Sequence, residues 1–566
     1  MYKFEKQAGL DSISFDFNNR HTIDSIVYRG RRVTSNRPTN KLNIRLQAGT
    51  GTDSILIVYS GAPPRTGFGS FAVDRHAGVP IIWTISPPYG NRDWMPCKVS
   101  LDDKIDSMDA FITVPTGNKA AGPGILVGST LDNVNDLITY HWKHRYPIAT
   151  YLIGTAITNY VSYTDTLRLT NSRQVNCVNY VYPENQASAR SLTPATSRIM
   201  RLYDSAFVPY PFINEKYGHA QFGFNGGMEN QTMSLMQGFN RQLIAHELGH
   251  SWFGNLVTCS SFRDMWLNEG FAMWLEGFTY EKLDGAQAAK DWRIGQNNLI
   301  VSTNGGSVWV TDTLDHQRIY DYRLTYTKGS MLVHMLRKYL GDEAFFNGIR
   351  TYLNDSRYKY KYASVPQFKA VMETVSGKNL TPWFQRWFYG EGFPIYTIEN
   401  FGNNADGSAS ATINIASSVA NNSFNADSVE VRFYHQNGTI DKIKTTFTSG
   451  NSITLQSSFI RGGAWFAVTV NEDADIVSGS PMVSGVNGQM VSDNISLYPS
   501  PVKNVVMIQN LPQKANYKLY TWLGTLIKTG DVQPNESISV SELPSGSYLI
   551  KINCQERSTF KRFIKQ

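Results

Sequence analysis

The sequence is poor in cysteine, modest in charge and free of long apolar runs, and each shortage excludes a class of protein. Its four cysteines, at 97, 177, 259 and 554, show no Cys-x-x-Cys spacing. They do not form a disulfide framework, although one or two bridges in an oxidising compartment stay open. No stretch of about eighteen or more apolar residues occurs, which argues against a helical membrane span. The opening Met1-Tyr2-Lys3-Phe4-Glu5 has no apolar signal core. Charged residues make up 17% of the chain, and the net charge of +7 is spread out. That leaves no electrostatic footprint for nucleic acid. The basic, aromatic run Arg357 to Tyr362 reads as a solvated loop.

What is present is a folding chain of several domains. Hydrophobic residues at 41% and aromatics at 13% exclude general disorder, and 566 residues leave room for about three or four domains. Residues 1–160 read as strands: Ile13, Phe15 and Phe17 alternate, Ile55 to Tyr59 is a short apolar run, and Gly, Pro and Asn punctuate throughout. From 161 to 395 the apolar period becomes helical, over Ala187 to Tyr203, Gln242 to Phe253, Gly329 to Leu340 and Val365 to Val375. Residues 396–477 are rich in Ser, Asn, Thr and Val, with the alternating Val429, Val431 and Phe433, and predict a small β-sandwich. A Ser/Gly/Asn/Val linker follows at 478–490, then a short all-β module at 491–566. The fold class is therefore multidomain α+β.

Chemistry concentrates in His246-Glu247-x-x-His250, followed after eighteen residues by Asn268-Glu269-Gly270. On a helix of about 3.6 residues per turn, side chains four apart share a face, so both imidazoles reach one ion. Leu243, Ile244, Leu248 and Phe253 supply the apolar positions of that helix, and Met265 to Leu275 reads as a second helix carrying Glu269. Two histidines and one carboxylate are a catalytic zinc set, because they leave the fourth tetrahedral position open. Upstream stands Gly226-Gly227-Met228-Glu229-Asn230, and downstream Tyr326-Thr327-Lys328-Gly329.

These three motifs, in this order, resemble the gluzincin aminopeptidases of the M1 family, whose pattern is Gly-x-Met-Glu-Asn, His-Glu-x-x-His with eighteen residues to Glu, and Tyr-x-Lys-Gly. The resemblance extends through Asp264 to Ala272, Pro147 to Leu152, and Trp387 to Pro394. It implies a saddle-shaped β domain over 1–160, in which Arg92 to Cys97 match, and a thermolysin-like catalytic domain over 161–395. Many family members also carry a long helical domain behind the cleft, for which this chain has no sequence. Tyr498-Pro499-Ser500-Pro501, Leu519-Tyr520 through Gly524, Pro544-Ser545-Gly546-Ser547-Tyr548 and the closing Phe560 to Lys565 resemble the C-terminal sorting domain of the Bacteroidetes type IX secretion system. That resemblance implies an export machinery as partner and a secreted or cell-surface location; the plainer reading is a small binding β-sandwich.

The resemblance assigns roles. His246, His250 and Glu269 hold Zn2+, which acidifies water and polarises the scissile carbonyl. Glu247 is the general base, and Tyr326 stabilises the tetrahedral intermediate. Glu229 pairs with the free α-ammonium of a peptide, and Gly226, Gly227 and Met228 form an edge where substrate backbone approaches closely. Lys328 reads as structural, and Glu276 as either a carboxylate steering a ligand histidine or a solvated residue. A second amine-binding Glu or Gln, usual in the family, aligns here with Pro87. The expected function is zinc-dependent removal of N-terminal residues from peptides. The alternatives are a secreted zinc endopeptidase and a catalytically silent surface-binding protein.

Overall fold

Alternation of apolar and polar side chains through the first 160 residues folds as paired strands. In the computed structural model, which describes residues 1–479, 484–485, 495–499, 501–511, 513–521, 526–544, 546–554 and 557–565, the chain divides into two compact units, 1–391 and 392–566. The first unit opens with an antiparallel sheet of Tyr2–Lys6, Gly51–Ser60, Thr22–Tyr28 and Arg31–Arg32. A second sheet contains Ser12–Asp16, Lys41–Arg45 and Ser35–Asn36. Phe15, Phe17, Ile26, Leu42, Ile44 and Ile55 bury their side chains in a common core, the outcome of a period of two with one apolar face. Val79–Ile85 lies in a third sheet, between Ser70–His76 and Ala156–Thr158.

The sheet nearest the catalytic motifs comprises β1 (Val161–Arg168), β2 (Gln174–Val181), β3 (Tyr217–Gln221), β4 (Gly227–Met228) and β5 (Ser234–Met236). Its order is β1-β2-β3-β5-β4, so the glycine-rich motif forms the edge strand. β2, β3 and β5 run parallel, and β4 turns back antiparallel to β5, pairing Gly227 with Met236 and Met228 with Leu235.

Three helices adjoin the remaining motifs: α1 (Arg241–Gly249), α2 (Phe271–Leu283) and α3 (Gly329–Leu340). Three sequence expectations need correcting here. The segment Ala187 to Tyr203 is two helices, Gln186–Leu192 and Ala195–Ala206, because Pro194 has no amide hydrogen to continue the first. α1 ends at Gly249 rather than Phe253, leaving His250 as its C-cap. Glu269 does not sit on the α-helix expected from Met265 but in a wider π-helical turn, Trp266–Gly270, that feeds α2.

The second unit is built of strands. Pro394–Asn403, Ala409–Ser417 and Ser452–Gln456 form one sheet; Ile440–Thr445, Val429–His435, Trp465–Val470 and Ser484–Gly485 form another. Further along, Leu526–Val532, Ala515–Thr521, Gly546–Cys554 and Arg557–Lys565 make an antiparallel sheet with its own core of Val506, Leu519, Ile550, Ile552 and Phe563. Most of the expected linker at 478–490, and Ser500, Gly524 and Ser545 of the sorting-like motifs, lie outside the described residues. Among the described residues, no helix is long and apolar enough to cross a membrane. Cys97, Cys177 and Cys259 are buried free thiols.

Candidate metal and peptide site

Asn240 begins the site by capping α1: its side chain accepts a hydrogen bond from the Leu243 amide at 2.9 Å. This satisfies one of the amides left open at a helix start. Two turns on, His246 and His250 share a face, with ring centroids 4.9 Å apart. The Nε2 atoms of both lie 3.3 Å from Glu269 Oε2. Their other nitrogens are committed to groups that can only accept: His246 Nδ1 is 2.9 Å from Glu276 Oε1, and His250 Nδ1 is 3.0 Å from the Phe253 carbonyl oxygen. Each Nδ1 therefore spends its hydrogen on an outer partner, which leaves both Nε2 atoms facing Glu269.

Two ring nitrogens facing one carboxylate oxygen require something positive between them, protons or a cation. Ligand atoms of His246, His250 and Glu269 all lie within 4.8 Å of one another, so the residues present fit a small cation. Electrostatics agree. Despite burial, Glu269 and Glu229 push His250 up to about 9, while His250 and His246 hold Glu269 down to about 2. Protons thus compensate charge that a divalent ion would compensate better.

Glu276, which the sequence left open between two readings, is buried and holds His246 from behind. Gln242 Nε2 donates to its other oxygen at 2.6 Å. Glu247 points into the same space from α1. Its surface alternative, pairing with Arg241, fails because Arg241 pairs with Asp284. Burial pushes the Glu247 carboxyl up to about 8, against the pull of both histidines. Glu247 Oε2 is buried and receives no hydrogen bond from described atoms, a poised acceptor. The backbone of β4 comes so close that a Cβ on Gly227 would lie 2.1 Å from Glu247 Oε1.

Two motif glycines bring the other wall in. A Cβ on Gly270 would meet Trp266 Cδ1 at 2.3 Å and the Gly329 carbonyl carbon at 3.2 Å, while one on Gly329 would lie 3.3 Å from the Gly270 Cα. The turn bearing Glu269 and the start of α3 therefore touch backbone to backbone, and Trp266 Nε1 donates to the Gly329 carbonyl at 2.8 Å. This contact draws the turn Tyr322–Lys328 to the site and sets the Tyr326 ring 6.1 Å from that of His246, nearly parallel. Burial, reinforced by Glu269, raises the phenol well above its ordinary range, so Tyr326 stays a donor. Lys328 is buried and donates to the Gly306 carbonyl at 2.8 Å, a structural contact.

A cavity of about 460 Å³ joins these groups. Gly226, Gly227, Met228, Glu229, His246, Glu247, His250, Glu269 and Tyr326 all line it, so the candidate metal, base, donor and amine-binding residues meet in one place. Glu229 is buried, with its carboxylate, that of Glu247 and His250 within 4.8 Å of one another. Pro87 lines the cavity too, beside Phe68 and Ile85. The strand-rich first 160 residues therefore contribute only apolar side chains here. Phe68, Phe224, Tyr320 and Tyr322 are lining residues that sequence reasoning missed, since aromatics outside a motif carry no sequence signal of a pocket.

The parallel strands with an antiparallel edge, the paired helices and the two-His, one-Glu donor set define a metallopeptidase fold. Residues 194–387 match the peptidase family M1 domain, and 496–566 match the secretion system C-terminal sorting domain. The chain thus carries an M1 peptidase domain and a sorting domain. It is 31% identical over 188 residues to the alanine/arginine aminopeptidase of Saccharomyces cerevisiae, covering 31% of this chain and 21% of that protein. It is 28% identical over 287 residues to the glutamyl aminopeptidase of Bos taurus, covering 45% and 29%. The match spans less than a third of either relative's length. Among solved structures, the M1 zinc metallopeptidase of Deinococcus radiodurans superposes with a TM-score of 0.59 at 23% identity, covering 66% of this chain and 84% of that one.

Proposed function

We propose that this chain is a secreted or cell-surface zinc aminopeptidase that hydrolyses the N-terminal peptide bond of peptides. The observation that carries this reading is the buried Glu229 carboxylate at the edge strand, in the same nest as Glu247 and His250. His246, His250 and Glu269 would hold the zinc. When bound there, the ion supplies Lewis acidity that polarises a carbonyl and acidifies water. Glu247 then takes the proton from water and returns it to the leaving amine. The Tyr326 phenol donates a hydrogen bond to the oxygen on which negative charge develops, and β4 aligns the substrate backbone as an added strand. Glu229 pairs with the substrate ammonium, which fixes the first peptide bond over the reacting groups. The sorting-domain match supports export, with the export machinery as partner.

Glu229→Ala tests the exopeptidase assignment. Removing one partner of a buried charge pair costs enough that kcat/KM on free-amine peptides should fall about a hundredfold or more. N-acetylated peptides, poor from the outset, should hardly change. Equal losses on both kinds of substrate would remove Glu229 from amine binding.

Tyr326→Phe should keep one zinc per chain and lower kcat by roughly a hundredfold or more, the usual loss for an oxyanion donor. Near-normal turnover would place the donor elsewhere. Ending the chain near residue 490 should leave peptidase activity of the purified protein intact while the native host retains the protein inside the cell. Loss of activity with the fold preserved would assign the last module to substrate binding instead.

An endopeptidase is the second reading, favoured by one observation. Pro87 lines the cavity, and the resemblance implies a second amine-binding Glu or Gln at its position, so amine recognition rests mainly on Glu229.

A further inference from the structure

One wall of the cavity takes no part in the chemistry above. Phe68, Ile85, Pro87, Phe224 and Tyr320 line it, on the cavity that Glu229 also lines. The Phe68 ring stands edge-on to Phe224 at 5.8 Å and to Tyr320 at 5.1 Å, and Trp83 backs Phe224 at 6.3 Å. Ile85 and Pro87 are buried, whereas Phe68, Phe224 and Tyr320 are half-buried.

The loop that presents Phe68 is firmly held. Gly67 and Gly69 bracket it with φ of 53° and 136°, backbone angles that favour glycine. The Gly69 amide donates to the Thr66 carbonyl at 2.8 Å, Ser70 Oγ donates to buried Asp93 at 2.8 Å, and Thr66 Oγ1 donates to the same carboxylate. An aromatic side chain is thus fixed in a cavity wall by a loop with little freedom of its own, an arrangement that offers a preformed apolar surface to a ligand.

We infer that this wall is the pocket for the side chain of the substrate's first residue, and that it selects large apolar N-terminal residues, aromatic ones above all, with Phe68 as the main specificity determinant. The inference rests on the aminopeptidase reading. If Glu229 holds the α-ammonium, the first Cα lies next to it and its side chain projects one bond away into the cavity that Glu229 and this wall share, where Tyr320 is near enough to Glu229 to feel its charge. Phe68, Ile85, Pro87 and Phe224 offer no polar side-chain atom, and the Tyr320 phenol is the only polar group among the five. A charged side chain would lose water there without gaining an ionic partner. An aromatic ring would instead complete the edge-on cluster of Phe68, Phe224 and Tyr320.

The test uses the full-length, zinc-loaded protein and a series of aminoacyl-p-nitroanilides bearing Phe, Leu, Ala, Arg or Glu. Because apolar pockets discriminate roughly 10- to 200-fold per methylene covered, kcat/KM for Phe and Leu should exceed that for Ala by about tenfold or more. Arg and Glu should fall below Leu. In Phe68→Ala the Phe-to-Ala ratio should drop by about tenfold. If that variant does not fold, Phe68→Leu should lower the Phe-to-Leu ratio instead. A wild type that prefers Arg or Glu, or a Phe68 variant whose ratio is unchanged, overturns the inference and leaves the aminopeptidase reading standing. Failure to release any of the five residues overturns that reading and the inference with it.

Discussion

Glu247→Gln should lower kcat by about a thousandfold while the protein keeps its zinc and its fold. The amide is nearly the same size as the carboxylate, so the close approach of β4, where Gly227 leaves room for the side chain, need not change. What disappears is the proton acceptor. Oε2 receives no hydrogen bond from the described protein atoms and is buried among the histidines, so no neighbour is positioned to substitute. Glu229 has a carboxylate oxygen within 4.8 Å of one on Glu247, but the same reading commits it to the substrate amine. General base removal usually costs about 10²- to 10⁴-fold, and the middle of that range applies where no rescue is at hand. Single-turnover kinetics should place the loss in the chemical step, with substrate binding preserved. A Glu247→Gln enzyme within tenfold of wild type would mean that the base is another group.

The His246→Ala, His250→Ala double variant should hold no stoichiometric zinc and show no measurable peptidase activity. Glu269 would remain, held by the π-helical turn, yet one carboxylate does not retain zinc against the buffer. The double variant also removes the protons that balance Glu269, so four carboxylates, Glu229, Glu247, Glu269 and Glu276, would face one another in a largely buried space. Their mutual repulsion should lower the melting temperature as well as the metal content. Metal analysis and thermal unfolding separate the two effects. Addition of zinc should stabilise the wild type and leave the double variant unchanged. Full zinc occupancy in the variant would overturn the ligand assignment.

Much of this site was legible because its determinants are local. Histidines four apart on a helix face and the Tyr-x-Lys-Gly segment are short-range patterns, and α3 runs over Gly329–Leu340 as its periodicity predicts. Other features were not local. The π-helical turn at Glu269 arises from packing of Gly270 and Trp266 against Gly329, a contact across about sixty residues that no window of periodicity spans. Pro194 ended a helix that the apolar pattern alone would have continued. Glu276 lay on the same helical face as Glu269, but only burial and the 2.9 Å contact with His246 distinguish a supporting carboxylate from a solvated one. The specificity wall is the extreme case. Phe68, Ile85, Phe224 and Tyr320 come from four separate stretches of chain, and each reads in sequence as an ordinary core residue.

The central claim is that a zinc-dependent centre acts on peptides by their free N-terminus. The most direct measurement compares two peptides identical except for N-acetylation, incubated with the zinc-loaded full-length protein and followed by mass spectrometry. The expected result is a ladder of products shortened one residue at a time from the free peptide, little cleavage of the acetylated one, and loss of the ladder on chelation. Internal cleavage of the acetylated peptide at a comparable rate would contradict it and make the chain an endopeptidase.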